Sequence, residues 1–137
     1  MFAAGDMAEW DDATFGHPLR VEHWDVAAEH GRTAARNMLG RGVSHDALPY
    51  FYSDLADWTA IEYVGIPGDG GPPVIRGSLD EGAFTAFYLG PGGVVNGALT
   101  LGGSDDLDEA RRLIKARATA DPDRLADRDS DLAEAAS

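Results

Sequence analysis

The sequence predicts an α+β fold: an antiparallel β-sheet with flanking helices, preceded by a strand–loop–helix segment. Three observations carry this. Four short apolar runs between residues 58 and 101 are separated by glycine-rich turns, as in a sheet built from hairpins. Two stretches, 23–39 and 105–118, repeat apolar or small residues at three- and four-residue intervals, the period of a helix. Phe2-Ala3-Ala4 followed by Gly5-Asp6 reads as the end of a buried strand and the turn after it.

Taken in order, residues 7–20 are polar and irregular, with Gly16 and Pro18 as breakers. The helix at 23–39 carries Trp24, Ala27, Ala28, Gly31, Ala34, Ala35, Met38 and Leu39 on one stripe. Asp25 and Glu29 fall early and Arg32 and Arg36 late, which complements the helix dipole; Gly40 and Gly42 stop it. The stripe is mostly Ala and Gly, so its neighbour packs close. That neighbour is either a sheet or a flat ligand or backbone.

Residues 43–57 read as a connection, with Tyr50-Phe51-Tyr52 as core aromatics. Strands are expected at 58–66, 73–78, 83–89 and 94–101. In the third, Phe84, Ala86 and Tyr88 alternate with Thr85, Phe87 and Leu89, so both faces are at least half buried. The turns at 65–72 (with Gly68-Asp69-Gly70-Gly71), 80–82 and 90–93 each suit a hairpin, which makes the sheet a meander. Ser104 or Asp105 is the expected cap of the helix at 105–118, which carries Leu107, Ala110, Arg111, Leu113, Ile114 and Ala118 on or beside its buried stripe. Asp121-Pro122 opens a short helical turn, and the acidic tail at 128–137 is expected to fray.

Composition narrows function. The 137 residues hold 24 acidic against 11 basic side chains, a net charge of −13; 17 of the acids are Asp and Lys115 is the lone lysine. Such a surface repels nucleic acid and anionic membranes. The absence of cysteine excludes disulfides, a CxxC redox pair, thiolate zinc sites and iron–sulfur ligation by this chain. No apolar run spans a membrane and no signal peptide is recognisable, so the expected compartment is the cytoplasm. The four histidines, His17, His23, His30 and His45, match no metal-site spacing. Asp105-Asp106-x-Asp108 lacks the glycine and terminal glutamate of a calcium loop and reads as a charged helix start.

Taken together, several stretches resemble the C-terminal third of FAD-dependent, NAD(P)H-using ferredoxin reductases, the group of putidaredoxin- and rhodocoxin-type reductases and, more distantly, apoptosis-inducing factor. Their second flavin motif runs V-(Y/F)-A-x-G-D, here residues 1–6. The segment R-x-E-(H/S)-W, with A-x-x-x-G-x-x-A-A-x-N-(M/L)-x-G after it, is here Arg20 to Trp24 and Ala27 to Gly40. P-Y-F-(W/Y)-S-D is Pro49 to Asp54, A-R-(R/K)-L-I is Ala110 to Ile114, and D-P-x-x-L-A-D is Asp121 to Asp127. One departure is Leu101-Gly102-Gly103-Ser104, where relatives carry an Asn-Arg-Pro-like segment.

The resemblance implies a division into a remnant of a FAD-binding domain (1–47) and a reductase C-terminal domain (48–137). It implies that Asp6 holds the ribityl hydroxyls of FAD and that Gly5 lets the backbone approach. The helix starting at His23 would aim its N–H groups at the flavin pyrimidine, Trp24 would lie beside the isoalloxazine, and Tyr52 would line the pocket. The small-residue stripe would dock on the rest of the FAD domain. No catalytic residue is implied in this chain. Both G-x-G-x-x-G motifs, for FAD pyrophosphate and for NAD(P)H, are missing. The expectation is a fragment or split subunit that binds FAD only with an N-terminal portion supplied as a separate chain. Further expected partners are a ferredoxin-type acceptor and a second copy of the chain. Arg20, Arg32, Arg36, Arg41 and Arg76 are the arginines available for a local basic patch. The alternative is a stand-alone, non-catalytic dimerisation or binding domain.

Overall fold

A computed structural model describes residues 1–57, 59–68, 71–102 and 105–135. Trp58 at the start of the first expected strand, Asp69-Gly70 of the glycine-rich loop, the expected cap Ser104 with its neighbour Gly103, and the last two residues of the tail lie outside the described residues. The chain divides into two compact units, Met1–Phe51 and Tyr52–Ser137.

The first unit contains a small hairpin where an irregular stretch was expected: β1 (Trp10–Asp12) pairs antiparallel with β2 (His17–Leu19). Asp12 makes the turn. Its Oδ1 accepts from the backbone N–H of Thr14 at 2.8 Å and of Phe15 at 3.0 Å, and its carbonyl accepts from Gly16 N at 2.9 Å. Helix α1 (Trp24–Met38) follows. Asn37 fixes its exit, donating to Val43 O at 2.9 Å and accepting from Val43 N at 2.7 Å. The buried residues of α1 are Val26 and His30, not the small-residue stripe. Trp24, Met38 and Leu39 are 68%, 65% and 78% exposed. Residues 1–4 join no strand, and Phe2 is 49% exposed, so the expected buried strand end is not formed within this unit.

The second unit is a five-stranded sheet in the order β3 (Tyr50–Ala56), β4 (Thr59–Gly65), β7 (Val95–Leu101), β6 (Ala83–Leu89), β5 (Val74–Ser78); the division between units falls inside β3. Strand β3 replaces the end of the expected connection. The pairs β4–β7, β6–β7 and β5–β6 are antiparallel. The turns at 80–82 and 90–93 close hairpins. The segment 66–73 does not: β4 pairs with β7, so the chain crosses the sheet to reach β5. The meander expectation fails there for a physical reason. Gly65 sits at φ +87° with Asn96 O only 2.2 Å from where a Cβ would lie, a close approach that seats β4 on β7.

Helix α2 (Asp106–Lys115) buries Leu107, Ala110, Leu113 and Ile114 against β7 and β4, and α3 (Pro122–Ala126) packs on β5. Phe87, Leu113, Ile114 and Leu125 are fully buried between these layers. Asp105 precedes α2 in helical conformation without a side-chain cap bond. Its neighbour Asp106 instead accepts from Thr85 Oγ1 at 2.7 Å. The helix ends before 118 because Arg117 turns to φ +53° and Ala118 N reaches back to Leu113 O at 3.0 Å. The tail is held as far as Ala135: Leu132 and Ala135 are buried, and Asp121 N donates to Ala135 O at 3.1 Å.

Candidate functional site

The residues of the expected flavin half-site fall in both units. In the first, Gly5 opens a tight turn at φ +81°, closed by Ala8 N donating to Gly5 O at 2.9 Å. A Cβ at Gly5 would stand 3.9 Å from Ala27 Cβ, so the turn rests on the first part of α1. Asp6 follows, exposed. Its carbonyl accepts from Arg20 Nη1 at 3.2 Å, and its carboxylate makes no ion pair among the described residues.

His23 is the N-cap of α1, extended at φ −123°, ψ 143°, and its side chain caps nothing. The first-turn N–H groups therefore lack a side-chain acceptor. The His23 ring lies 5.0 Å from that of Phe51, with Nδ1 buried and unbonded. Trp24 projects into solvent beside it. Gly5, Asp6, His23 and Trp24 thus share one end of α1. Tyr52 belongs to the second unit. It is half exposed, and its hydroxyl donates to Asp54 Oδ1 at 2.5 Å, a bond that pushes the phenol above its ordinary range.

A cleft of about 240 Å³ opens in the first unit between Phe2, Ala3, Trp10, His30, Ala34 and Asn37. In the second, a cleft of about 210 Å³ is lined by Arg76, Gly77, Thr85, Asp106 and Arg128. Arg76 and Asp106 in it are engaged. Arg76 donates to the carbonyls of Leu125, Asp127, Arg128 and Ser130 and pairs with Asp106 at 3.6 Å. It ties the C-terminal segment to β5 and is not available for a basic patch. Arg20 pairs with Glu22, and Arg32 with Glu29, which removes two further members of that expected cluster. Among the described residues no three His, Cys, Asp or Glu side chains are placed to hold a metal ion, and no helix is long and apolar enough to cross a membrane.

Sequence reasoning missed the roles of Asn37, Arg76, and the Trp10–His30–His45 cluster. Asn37 stood inside a quoted motif without a role. Arg76 and the histidines had no local signal, because their partners come from distant segments.

An antiparallel α+β sheet unit follows a Gly-Asp turn seated on a helix with an exposed stripe, and this class of fold, a C-terminal sheet domain with a preceding strand–helix remnant, matches a known family. The family described as "Reductase C-terminal" matches residues 50–136, and the chain belongs to it. A ferredoxin–NAD(+) reductase component of the anthranilate 1,2-dioxygenase system from Burkholderia cepacia is 37% identical over 127 residues, covering 93% of this chain and 31% of that protein. A ferredoxin reductase from Rhodopseudomonas palustris superposes with a TM-score of 0.85 at 30% identity over 98% of this chain and 33% of its own. The reductase in a covalent putidaredoxin reductase–putidaredoxin complex gives 0.83 at 28% identity over 96% and 31%. The chain spans about a third of the length of these relatives.

Proposed function

We propose that this chain is the C-terminal portion of a cytoplasmic FAD-dependent NAD(P)H oxidoreductase that passes electrons to a ferredoxin-type acceptor. On this reading it is not competent without a FAD- and NAD(P)H-binding portion, supplied as a separate chain. One observation supports it above the rest. A Gly-Asp turn and the uncapped start of a helix meet beside an exposed tryptophan, in a chain that matches ferredoxin reductases over a third of their length.

The residues fit the cofactor. The exposed carboxylate of Asp6 can accept hydrogen bonds from ribityl hydroxyls, and Gly5 supplies the positive φ of +81° that the turn needs. The free N–H groups at the start of α1 favour negative charge on the flavin pyrimidine. Trp24 covers one edge of the ring, and Tyr52 is a further candidate for lining the flavin pocket. FAD, when bound, supplies the acceptor for a hydride and the donor of single electrons. Residues 1–47 act as the completing piece of the FAD domain and 48–137 as the reductase C-terminal domain. The exposed stripe of α1 receives the missing portion; burying Trp24 alone is worth about 2–3 kcal/mol.

The test is purification of the chain alone and together with the N-terminal two-thirds of a ferredoxin reductase, followed by an absorbance scan. Flavin is expected with the pair only. A stoichiometric flavin spectrum from the chain alone would overturn the claim that half the site is elsewhere. A second reading, a stand-alone dimerisation or binding domain, draws support from the self-contained core of the second unit. A stable flavin-free dimer indifferent to the added portion would favour it.

A further inference from the structure

Three rings from three segments meet in the first unit. Trp10 comes from β1, His30 from the middle of α1, and His45 from the loop that follows α1. Ring centroids stand 4.7 Å apart for Trp10–His30, 5.1 Å for Trp10–His45 and 4.4 Å for His30–His45, all close to edge-on. His30 is 5% exposed, and neither of its nitrogens has a hydrogen-bond partner among the described residues. Nε2 of His45 is buried and unbonded too. Asp12, which acts on His45 electrostatically, is already engaged: Oδ2 accepts from Trp10 Nε1 at 3.0 Å, and Oδ1 holds the hairpin turn.

Neutral imidazoles can occupy such a site as flat, weakly polar rings. Imidazolium ions cannot do so cheaply. His30 would lose hydration at both nitrogens and half-buried His45 at Nε2, with no bonded acceptor gained there, and two charged rings would repel across a single ring-to-ring contact. We propose that His30 and His45 form a proton-operated clasp. In the neutral form, the pair and Trp10 hold the β1–β2 hairpin and the 43–49 loop on α1; on protonation the pair repels and this junction loosens.

Carboxylates face the clasp from each element. Asp12 on the hairpin, Glu29 on α1 and Asp46 on the loop all favour a charged His45, and Glu9 lines the same cleft. Burial outweighs them and, with His30 beside it, holds His45 below its ordinary value of 6.5. The direction of the pH effect follows. As pH falls through 6.5 the unfolded segment takes up a proton that the closed clasp refuses. The clasp's contribution is complete above that pH and is lost progressively below it.

The test is a pH titration of the full chain by NMR, following the histidine ring protons, the Trp10 indole N–H and amide exchange in the hairpin. His45 should titrate below 6.5. Over the same range hairpin protection factors should fall, by up to about tenfold per pH unit for each proton taken up. His45→Gln should flatten that fall, whereas His17→Gln, on the exposed strand β2, should leave it in place. His45 titrating at or above its ordinary value, or hairpin protection unchanged while His45 titrates, overturns the clasp. The wild-type titration decides this even if a variant fails to fold.

Discussion

The two units of the chain differ in what they bury. In the second, Phe87, Leu113, Ile114, Val64 and Val95 are fully enclosed between sheet and helices. In the first, no large apolar side chain reaches that level; Phe15, Leu19 and Val26 come nearest, while Phe2, Met7, Trp24, Met38 and Leu39 stay exposed. Both segments have the apolar patterning of folded protein. What separates them is closure. A five-stranded sheet with α2 laid across it satisfies its own apolar face, whereas one helix and a hairpin of three-residue strands cannot. A unit that closes on itself is a domain, and a unit that leaves a helix stripe open is a surface awaiting a partner.

The largest expected effect breaks the closed unit. Phe87→Ala removes a ring with no exposed surface and should cost about 3–5 kcal/mol in urea denaturation. A loss below about 1 kcal/mol would mean that the core is not packed as described. Next comes Arg76→Met, which keeps the aliphatic stem but removes the donor to four carbonyls and the ion-pair partner of Asp106 Oδ1. The expected cost is about 2–3 kcal/mol. Amide exchange at Leu132–Ala135 should rise with it, since the tail is held through this guanidinium. Unchanged exchange there would refute the clamp.

How far these features could be read from the sequence depends on the range of the interactions that set them. Helix α1 and strand β6 were legible because their periodicity is local. The β1–β2 hairpin was not: its strands are three residues long, one holds Pro18, and its only signal is Asp12 placed to accept from the turn. Strand β3 was hidden because three adjacent aromatics read equally well as a core cluster. The crossing from β4 to β5 is decided where Gly65 meets β7, a contact between segments some thirty residues apart in sequence that leaves no trace in the linking loop. Arg76 reaches acceptors 49 to 54 residues away, which is why the tail looked free to fray. At the proposed flavin half-site, Gly5 and the start of α1 were legible as motif positions, and their juxtaposition became visible only through the contact with Ala27.

The two units should also yield at opposite ends of the pH scale. Acid loosens the histidine clasp of the first. In the second, burial holds Tyr63 far above the ordinary phenol value of 10.0, its hydroxyl unbonded and its ring 5.9 Å from that of Tyr88. The unfolded chain therefore loses this proton above pH 10 while the folded sheet keeps it. Stability from this group is complete below pH 10 and falls as pH rises. Because the ring retains some solvent contact, the slope should stay under about 1.4 kcal/mol per pH unit. Tyr63→Phe should flatten it in alkaline melts monitored by circular dichroism. An equal slope in that variant would assign the alkaline loss to other groups.

The smallest expected effect is the sharpest test of the comparison. Trp24→Ala deletes the largest side chain of α1, yet 68% of that residue is exposed. If the first unit is a surface awaiting a partner, the isolated chain should lose no more than about 0.5 kcal/mol, the ordinary range for a surface substitution. The same change should weaken capture of the flavin-binding portion by about 2–3 kcal/mol, the value of burying a large aromatic. The two measurements are independent. A large loss in the isolated chain would show that Trp24 already packs inside its own unit, and the contrast between a closed and an open unit would fall. A small loss in both would leave the contrast standing and move the docking surface off Trp24, toward Met38 and Leu39 at the far end of the helix.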